Sequence, residues 1–563
     1  MSMTTIDFKV VEWSTRRMYP AQAIPKGKKI ELKFRYNKEI LADIKGCEEA
    51  TFDWDKKTWS CLAPEYSPRS RFVLGYVSNG TYPGTVANPY SVYDMPLRTD
   101  VKPRRDYVRQ HQIEGFRHLV TRRRAHLAHE MGLGKSLEAM ELLEWIKANV
   151  ELPQGARDEE LFWVVAPKAP LQAWQYELIK HNSTVRPKLI MCSDVAIGRA
   201  WAEAKFPPIA LILDESSRFK SATSKRTQMV LDISKQMATH YCGTEFVVCM
   251  TGTPAPNDPT DWWSQTEICC PGYLRERNTN ALRQRIAYLE KQEGAHGSYT
   301  KTLGWNGKEL EILYKRLSGL VDIKLKKDCV DLPAKIYERV QVPVSKAVLN
   351  AARTIAQTEP SALRVLQALR QLSDGFQYKR DPDTGDILPT EWVGSPKLDA
   401  LSDELDSLLS EEKFRVVVYA AFTESVDRVV NLCLEKGWGV IRVDGRGWAG
   451  LGGVAPTLQQ FQDQDKNKPI AFVGNADSGG LGITLTASDV IIYYSNSFNY
   501  ESRAQSEDRI HRIGMKGATI KDLIYLPTDL MVLNQLLFKK DVQLVTMGQI
   551  EGAFLEAMKK ESQ

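Results

Sequence analysis

The sequence lacks the features that mark membrane and secreted proteins. A membrane-spanning helix needs roughly 18 or more consecutive apolar residues. The longest apolar runs of this 563-residue chain, such as VVVYAAF at 416–422 and VIIYY at 490–494, are far shorter. The chain begins MSMTTIDFKVVEW, without the basic-then-apolar layout of a secretory signal. We therefore expect no membrane partner, and we expect a cytoplasmic protein.

Paired cysteines and a strong excess of one charge are also missing. The nine cysteines include no CxxC pair, and the nearest two, Cys269 and Cys270, are adjacent, so neither a zinc site nor a disulfide framework is indicated. A net charge of +5, from 75 basic and 70 acidic residues, is too small to argue for nucleic acid. The clusters KPRRDYVR at 102–109 and TRRR at 121–124 are better evidence, although each could equally be a solvated basic face.

The first 95 residues have the pattern of a small separate domain. IELKFRY at 30–36 alternates apolar and polar residues, as a half-buried strand does. ATFDW, the turn DKK and TWSCL predict a β-hairpin over 50–62. The stretch SNGTYPGTVANPYS at 78–91 is rich in Gly, Pro, Asn and Ser, which favours a linker. We therefore predict an accessory α+β domain over residues 1–95.

Beyond this domain, short apolar segments alternate with helical ones. Near-continuous apolar strands separated by helices are typical of parallel sheets that are covered on both faces. The strands gather near 126–253 and 414–494, which predicts an α/β fold with two parallel-sheet lobes, over residues 96–335 and 336–563. The stretches 275–320 and 345–390 look helical and polar. The predicted strands are LFWVVAP, IALILDE, EFVVCMTGT, RVVVYAAF, GVIRVDG, PIAFVGN and DVIIYYS.

The stretch HLAHEMGLGKS at 126–136 raises the question of a phosphate-binding loop. The general pattern places a Gly five positions before the Gly-Lys pair, where this chain has His129. GLGKS nevertheless opens a strongly helical run, SLEAMELLEWIKANV, and the backbone N–H groups of a helix N-terminus are suited to phosphates. Lys135 would then contact the β- and γ-phosphates, and Ser136 would hold Mg²⁺. The alternative is an ordinary glycine-rich turn.

A pair of carboxylates follows an apolar strand in LILDESS at 211–217. An aspartate at a strand end can hold Mg²⁺ through its water shell, and the next carboxylate can take a proton from the attacking water. Asp214 and Glu215 fit those two roles. Asp-Glu after a strand is common by chance, but this pair lies about 80 residues after the candidate phosphate loop, which strengthens the assignment.

Two arginines lie three residues apart in QSEDRIHRIG at 505–514. This spacing predicts that Arg509 and Arg512 point from the same face of a helix. Two guanidinium groups held in this way are suited to the charge that develops on a transferred phosphoryl group. The alternative is a salt-bridged surface helix.

Taken in order, these motifs resemble those of the Swi/Snf-type DNA translocases of helicase superfamily two. Gln112 in RQHQIEGF matches the adenine-reading glutamine, and LAHEMGLGKS matches a loop that normally reads Asp-Glu-Met-Gly-Leu-Gly-Lys-Thr, so a first Gly is not expected. His129 takes the place of that Asp. Further departures are Ser216 and Ser217 after the carboxylates, Met515 in place of a final Gln, and PTDLMVLN in place of a Thr-x-Glu-Glu element. Further matches, within residues 100–530, are APKAPLQAWQYE, DESSRFK, MTGTPAPN, VVVYAAFTESVDRVV, VDGR, GGLGITLTASDVIIYYSNSFN and QSEDRIHRIG.

The resemblance implies two RecA-like lobes that bind ATP and Mg²⁺ between them and move along DNA. It implies nucleotide binding by Gln112 and by the loop residues Met131, Gly132, Leu133, Gly134, Lys135 and Ser136. It assigns catalysis to Lys135, Asp214, Glu215, Arg509 and Arg512, and Mg²⁺ binding to Ser136 and, through water, to Asp214. It also implies contacts with the nucleic-acid backbone by Lys168, Thr251, Gly252, Thr253, Gly479, Gly480 and Thr484.

Three functions follow from these observations. The first is a DNA-dependent ATPase that translocates on duplex or forked DNA, largely independently of sequence; residues 34–62 resemble the HARP module of annealing helicases, which favours fork remodelling or strand annealing. The second, a strand-separating helicase in replication or repair, needs a wedge that the sequence does not reveal. The third is a non-catalytic DNA-binding scaffold, which the intact Lys135, Glu215 and Arg512 disfavour. Compact lobes without a histone-reading module favour a bacterial or phage-infected cell over a nucleus.

Overall fold

The computed structural model describes residues 6–63, 96–378 and 391–547. Within these ranges it leaves out 12–17, parts of 37–48, 242, 257, 275, 295–296, 359–360, 395, 453–454, 464–467, 479–482, 513–514 and 516. The chain forms two compact units. Unit 1 comprises Met1–Leu325 with Asp541–Gln563, and unit 2 comprises Lys326–Lys540. The domain boundaries at residues 95 and 335 stay predictions.

A five-stranded antiparallel sheet forms the N-terminal part of unit 1. Its strands are β1 (Ile6–Val11), β2 (Met18–Lys26), β3 (Lys29–Phe34), β4 (Thr51–Asp53) and β5 (Thr58–Leu62), in the order β1-β2-β3-β5-β4. The predicted hairpin is confirmed, because β4 and β5 pair with Phe52 opposite Trp59. Ile30 and Leu32 are buried as predicted, but Glu31 between them is buried too and Tyr36 is exposed, so burial does not follow the predicted alternation over 30–36. The predicted linker at 78–91 lies outside the described residues.

A six-stranded parallel sheet forms the centre of unit 1, with helices before, between and after its strands. The remaining strands of this unit are β6 (Arg124–His129), β7 (Phe162–Ala166), β8 (Lys188–Met191), β9 (Ala210–Asp214), β10 (Phe246–Met250), β11 (Ala287–Gly294), β12 (Gly297–Trp305) and β13 (Val321–Lys324). The helices are α1 (Gln110–Arg122), α2 (Lys135–Asn149), α3 (Asp158–Leu161), α4 (Lys168–Lys180), α5 (Asp194–Ala202), α6 (Lys225–Tyr241), α7 (Asp261–Cys269), α8 (Thr279–Ile286) and α9 (Gly307–Leu317). The sheet order is β13-β6-β10-β9-β7-β8.

The strands predicted for unit 1 are confirmed, and they are buried on both faces. Every residue of the predicted strands β7, β9 and β10 is buried, as near-continuous apolar strands require. Every residue of β6, which was not among the predicted strands, is buried as well. All neighbours in this sheet pair in parallel. Parallel strands end at the same edge, and ligands of such sheets bind at that edge. The loops after β6, β9 and β10 therefore begin at one edge of the sheet, and they carry the candidate motifs.

The predicted helical structure over 275–320 is wrong for its central part. Strands β11 and β12 form an antiparallel hairpin between α8 and α9, outside the parallel sheet. The segment KQEGAHGSY is polar, as an exposed helix would be. Gly294 and Gly297, however, favour a turn over a helix interior, because Gly loses the most conformational freedom in a helix.

The base of the hairpin is anchored by Arg283 of α8. Its Nη1 donates to Thr302 Oγ1 at 3.3 Å, and its guanidinium lies 5.8 Å from the ring centroid of Trp305. Its Nη2 donates to Asp258 Oδ2 at 2.9 Å and to Thr260 Oγ1 at 3.0 Å. An isolated two-stranded hairpin is marginally stable in water, so such anchoring matters. The hairpin is thereby fixed to the segment that follows MTGTPAPN.

Unit 2 is built on a second, seven-stranded sheet. The strands from Lys326 onward are β14 (Lys335–Gln341), β15 (Phe376–Gln377), β16 (Glu391–Trp392), β17 (Arg415–Tyr419), β18 (Gly439–Asp444), β19 (Gly447–Leu451), β20 (Ile470–Gly474), β21 (Val490–Tyr493) and β22 (Ala518–Ile524). The helices are α10 (Lys326–Cys329), α11 (Lys346–Thr358), α12 (Ala362–Asp374), α13 (Pro396–Ser410), α14 (Thr423–Glu435), α15 (Leu458–Gln462), α16 (Tyr500–Glu507) and α17 (Pro527–Thr546). The sheet order is β14-β22-β21-β17-β20-β18-β19, parallel except at the edge strand β19.

The sheet of unit 2 is covered on both faces. Val416 and Val418 of β17 belong to one apolar core, whereas Val417 and Tyr419 belong to another. Alternate residues of a strand point to opposite faces, so the two cores lie on the two sides of the sheet. The predicted α/β fold, with parallel sheets in two RecA-like lobes, is confirmed. Among the described helices, none is long and apolar enough to cross a membrane.

Candidate nucleotide-binding site

The candidate phosphate loop lies between β6 and α2, at the carboxyl edge of the unit 1 sheet. β6 ends at His129, and α2 begins at Lys135. Gly132 and Gly134 have φ angles of 80° and 86°, in the left-handed region that Gly adopts without strain. Gly134 is the N-cap residue of α2, so the backbone N–H groups of the first turn, which have no partner within the helix, lie at this loop. GLGKS therefore opens a helix, as predicted.

Lys135 and Ser136 are the first two residues of α2, and both are half-buried. Lys135 Nζ donates to the backbone oxygen of His129 at 2.8 Å, so it spans the loop from end to end. The positive end of the helix dipole lies at the same place. An ammonium group beside a helix N-terminus favours an anion, and phosphate oxygens are anions of this kind.

Asp214 is the last residue of β9 and is buried. Trp174 Nε1 of α4 donates to its Oδ2 at 2.8 Å, and the Glu215 N–H donates to its Oδ1 at 3.0 Å. Burial raises the pKa of Asp214, whereas the Trp174 hydrogen bond and the positive charge of Lys135 oppose that rise. Trp174 was not predicted from the sequence as a site residue, although it lies within the matched element APKAPLQAWQYE.

Glu215 has a backbone conformation that is uncommon for a residue with a side chain. Its φ and ψ angles are 53° and 55°, in the left-handed region. The chain turns there, between β9 and the short 3-10 helix Ser216–Phe219. Its Oε2 accepts a hydrogen bond from Thr251 Oγ1 at 3.4 Å. The structure therefore brings the predicted proton acceptor next to a predicted nucleic-acid contact.

Gln112 of α1 packs against the phosphate loop. Its Nε2 donates to Leu133 O at 3.0 Å, and its Oε1 accepts from the Arg109 N–H at 3.1 Å. A Cβ atom at Gly134 would lie only 2.1 Å from Gln112 Nε2, so this approach requires Gly. His111 Nε2 donates to the same Leu133 oxygen at 3.0 Å. The sequence analysis missed His111, whose only signal is its position beside Gln112.

The segment after β10 also packs on the loop. A Cβ atom at Gly252 would lie 2.6 Å from Met131 Cγ and 3.0 Å from Met131 N. Thr251 and Thr253 are buried, and the Thr253 N–H donates to Thr251 Oγ1 at 3.1 Å. The segment Thr251–Thr253, which was predicted to contact nucleic acid, is thus buried, whereas Lys168 is exposed at the start of α4. Their contacts with DNA stay predictions.

Ser216, the first departure from the family pattern, is fully buried. Its Oγ donates to Gln265 Oε1 at 2.8 Å. Gln265 Nε2 in turn donates to Pro254 O at 2.6 Å and to Asp261 O at 3.0 Å. Pro254 belongs to MTGTPAPN, so a buried chain of hydrogen bonds joins the carboxylate motif to that element.

The residues of unit 1 fit a nucleotide with Mg²⁺. Close packing at Gly134 and Gly252 leaves no room there for a Cβ atom, and Lys135 and Asp214 supply an amine and a carboxyl group. Among the described residues, no group of three or more His, Cys, Asp or Glu could hold a metal ion. Mg²⁺ keeps several waters and is often bound through one carboxylate and the phosphates of its nucleotide. Ser136 and the water shell of Asp214 would complete such a site.

The arginines of unit 2 do not share a helical face, so that prediction is wrong. α16 ends at Glu507, and both arginines lie after it. The Arg509 N–H donates to Ser506 O at 3.3 Å, three residues back, which tightens the chain into a turn. Arg509 is buried. Their roles in catalysis stay predictions.

Arg512 is held by contacts that the sequence analysis did not foresee. Its Nη1 donates to Thr484 Oγ1 at 2.7 Å, and its Nε donates to Asp508 O at 3.2 Å. Arg512, predicted to act in catalysis, and Thr484, predicted to contact DNA, are therefore neighbours. Gly479 and Gly480 lie outside the described residues.

Two family models match the chain. The SNF2-related domain matches residues 111–195, which include Gln112, the phosphate loop and α4. The helicase conserved C-terminal domain matches residues 396–514, which include both arginines. Neither match includes residues 34–62, so the resemblance of that segment to the HARP module stays a prediction.

Curated relatives match most of the chain at low identity. The ISWI chromatin-remodeling complex ATPase CHR11 of Arabidopsis thaliana is 25% identical over 431 residues, 69% of this chain and 37% of the relative. The ISWI chromatin-remodeling complex ATPase ISW1 of Saccharomyces cerevisiae is 23% identical over 454 residues, 73% and 38% of the two chains. The chain thus spans well under half the length of these relatives. Both are eukaryotic, so they do not support the expected bacterial or phage setting.

A solved structure described as "Sulfolobus solfataricus SWI2/SNF2 ATPase core in complex with dsDNA" is 18% identical, with a TM-score of 0.35, and the match covers 83% of this chain and 98% of that one. The fold assignment rests on the two parallel sheets and not on this likeness. The SNF2-related match includes Gln112 and the phosphate loop, and the helicase C-terminal match includes Arg509 and Arg512, whereas Asp214, Glu215 and MTGTPAPN lie outside both matches. In its matched domains and in the order of its motifs, the chain is similar to the Swi/Snf-type translocases of helicase superfamily two.

Proposed function

We propose that the chain is a DNA-dependent ATPase that couples ATP hydrolysis to movement along duplex or branched DNA. The observation that carries this proposal is the contact of Gln112 and Lys135 with one glycine-dependent loop at the edge of a parallel sheet, where β9 also ends at Asp214, next to Glu215. The matches to the SNF2-related and helicase C-terminal domains support it. The ATPases named among the relatives support it as well.

The residues of unit 1 divide the work of binding and activating ATP. Lys135 neutralises the β- and γ-phosphates, and Ser136 with Asp214 holds Mg²⁺. Glu215 accepts a proton from the attacking water, for which its carboxylate must exchange the 3.4 Å contact with Thr251 for that water. Mg²⁺ supplies charge neutralisation as the γ-phosphoryl group leaves.

Arg509 and Arg512 are suited to stabilise the charge that develops on a transferred phosphoryl group. Arginines in this role are typically worth about 10³- to 10⁵-fold in rate. Arg512 presently donates to Thr484, so that contact is exchanged when the arginine acts. Because Thr484 is also a candidate DNA contact, this exchange gives a physical route by which DNA binding and hydrolysis affect each other.

The preferred DNA is duplex or forked, bound through its backbone. Backbone contacts give binding that is tolerant of sequence and strongly dependent on salt. Candidate contacts are Lys168 and the elements at Thr251–Thr253 and Gly479–Thr484. The resemblance of the sequence at residues 34–62 to the HARP module supports fork remodelling or strand annealing as the finer function.

Movement is tested by displacement of a labelled third strand from a DNA triplex. We expect ATP-dependent displacement by the unsubstituted chain and none by Lys135→Ala. Displacement without ATP, or equal displacement by Lys135→Ala, would reject translocation.

Lys168→Ala should weaken DNA binding to all sequences alike and lower the salt dependence of that binding, because it removes a contact with the DNA backbone.

Strand separation is the second candidate, and the β11–β12 hairpin favours it. A wedge was missing from the sequence analysis, and this hairpin is an element outside the parallel sheet that could serve as one. Arg283 ties it to Asp258, just after MTGTPAPN. Replacing 288–304 by a short turn should abolish unwinding of a forked duplex while duplex-stimulated hydrolysis persists. Unchanged unwinding would exclude the hairpin as the wedge.

A further inference from the structure

His129 lies buried between two carboxylates of unit 1. Its Nδ1 is 3.2 Å from Glu138 Oε1, in the first turn of α2, and its Nε2 is 2.8 Å from Asp322 Oδ2, in β13. A neutral imidazole has one N–H group and one lone pair, so it can donate to only one of the two carboxylates. The imidazolium donates to both. The geometry therefore favours the charged form.

The pKa shifts of His129 and Asp322 agree with this geometry. Burial lowers the pKa of His129, but the charge of Glu138 and the hydrogen bond to Asp322 outweigh burial and raise the pKa to about 9. Burial raises the pKa of Asp322, but the hydrogen bond from His129 outweighs it and lowers the pKa to about 2. At neutral pH His129 and Asp322 are therefore both charged.

Other ionisable groups face His129 and its two carboxylates from four elements. Burial lowers the pKa of His118 in α1 to about 4 and that of His126 in β6 to about 3, so both are neutral. Lys324 of β13 is paired with Glu114 of α1 at 2.5 Å. Lys135 of α2 donates to the backbone oxygen of His129. None of these groups supplies the imidazole with an alternative anion.

The ion pair between His129 and Glu138 joins the two ends of the phosphate loop. His129 is the last residue before the loop, and Glu138 lies in the first turn after it. The same His129 carries the carbonyl that Lys135 contacts. A Cβ atom at Gly115 would lie 1.9 Å from Glu138 Oε2 and 2.9 Å from His129 Cε1, so α1 packs directly on the pair. α1 also carries Gln112, which is predicted to contact the adenine. The helix that would contact the adenine therefore meets the two ends of the phosphate loop at His129 and Glu138.

We propose that His129 is a positioning residue for the nucleotide: its imidazolium, held by Glu138 and Asp322, fixes both ends of the phosphate loop and with them the position of Lys135. This inference rests on the proposed function, because it takes the loop to be the phosphate site. The family pattern has Asp at this position. In this chain an Asp would bring three carboxylates together, so the histidine is matched to its two neighbours.

Nucleotide affinity tests the proposal without DNA or turnover. The probe is fluorescently labelled ADP with Mg²⁺, titrated into the full chain at pH 7.5. We expect His129→Asn, which removes the charge, to weaken binding roughly 10- to 100-fold, because small displacements of positioned groups have effects of this size. His129→Asp should weaken it further. Asp322→Asn, the second variant, should act in the same direction and remains informative where His129→Asn fails to fold.

A matched control separates this role from the loss of any histidine–carboxylate pair. His181 lies 2.7 Å from Glu177 at the end of α4, away from the phosphate loop. His181→Asn should leave nucleotide affinity unchanged. Affinity that is unchanged in both His129→Asn and Asp322→Asn would overturn the proposal. Absence of nucleotide binding by the unsubstituted chain would instead overturn the proposed function, and this role with it.

A pH profile gives a readout that a merely structural role would not move. The pKa of His129 is raised on folding, so its contribution is complete below about 6.5 and is lost as pH rises through about 9. Nucleotide affinity of the unsubstituted chain should therefore fall through about pH 9, and this inflection should be missing in His129→Asn. The His129 Cε1 resonance, assigned by its loss in that variant, should titrate near 9. Titration near 6.5 would overturn the proposal.

Discussion

The candidate residues of the two units are held in different ways. In unit 1 the phosphate loop is packed from several elements: Gln112 reaches it from α1, and Gly252 approaches Met131 from the segment after β10. In unit 2, Arg512 lies beyond the end of α16 and is held by one hydroxyl and one backbone oxygen, those of Thr484 and Asp508.

Because of this difference, substitutions in the two units should have different effects. A loop that depends on close approach is damaged by added volume and by loss of its charged partners, because packed interiors transmit small displacements. An arginine held by exchangeable polar contacts can leave them and act on a ligand. We therefore expect substitutions in the phosphate loop of unit 1 to impair nucleotide binding, and substitutions of the arginines to impair hydrolysis while binding persists.

The largest effects should come from removing the charged groups themselves. Lys135→Ala, Glu215→Gln and Arg512→Ala should each abolish turnover and leave the fold intact, and for Arg512 the loss should be about 10³- to 10⁵-fold. Only Lys135→Ala should also lose nucleotide binding. ATP hydrolysis with duplex DNA and binding of labelled ADP measure the two effects. Near-parental hydrolysis by any of the three variants would remove that residue from the catalytic assignment.

An intermediate effect is expected from Gly134→Ala, with Gly155→Ala as its matched control. Both glycines have positive φ angles, 86° and 75°, so Ala at either site costs roughly 1–2 kcal/mol of stability. A Cβ atom at Gly155 meets nothing within 4 Å, whereas at Gly134 it would meet Gln112. Both variants should be destabilised in chemical denaturation, but only Gly134→Ala should lose nucleotide affinity, by more than about tenfold.

Equal nucleotide affinity in these two glycine variants would show that the contact with Gln112 does not fix the loop. A loss of affinity in Gly155→Ala would point instead to backbone strain alone, since its site is open.

The smallest effect should come from Ser216→Ala. The substitution leaves Gln265 Oε1 without its buried donor, which costs about 1–3 kcal/mol in the free energy of unfolding. Because the hydrogen-bond chain joins the carboxylate motif to Pro254, kcat should fall while the KM for ATP stays. Ser183→Ala, at another buried serine of unit 1, should lower stability without lowering kcat. Equal kcat in both variants would separate Ser216 from catalysis.

The parts of the fold that local patterns encode could be predicted from the sequence. The buried strands are near-continuous apolar runs, and GLGKS announces a turn followed by a helix, so β7, β9, β10 and α2 lie where expected. Asp214 and Glu215 were identified because a strand end before a carboxylate pair is visible in the sequence.

What was missed depends on contacts between distant residues. The hairpin β11–β12 has a polar composition that suits an exposed helix equally well, and its anchor Arg283 contacts Asp258, 25 residues away. His129 meets Asp322 across 193 residues, a pairing that no local pattern indicates. The arginine spacing fits a helical face, but the helix ends at Glu507. Spacing alone could not reveal that end.

The measurement that tests the central claim most directly is ATP hydrolysis by the purified chain without nucleic acid and with single strands, blunt duplex or a forked junction, using Lys135→Ala as the blank. The account predicts strong stimulation by duplex or fork, with a fork preference if the finer function holds. Stimulation by single strands alone would favour the strand-separating helicase. Absence of hydrolysis under every condition would contradict the assignment of the phosphate loop and its carboxylates to an ATPase.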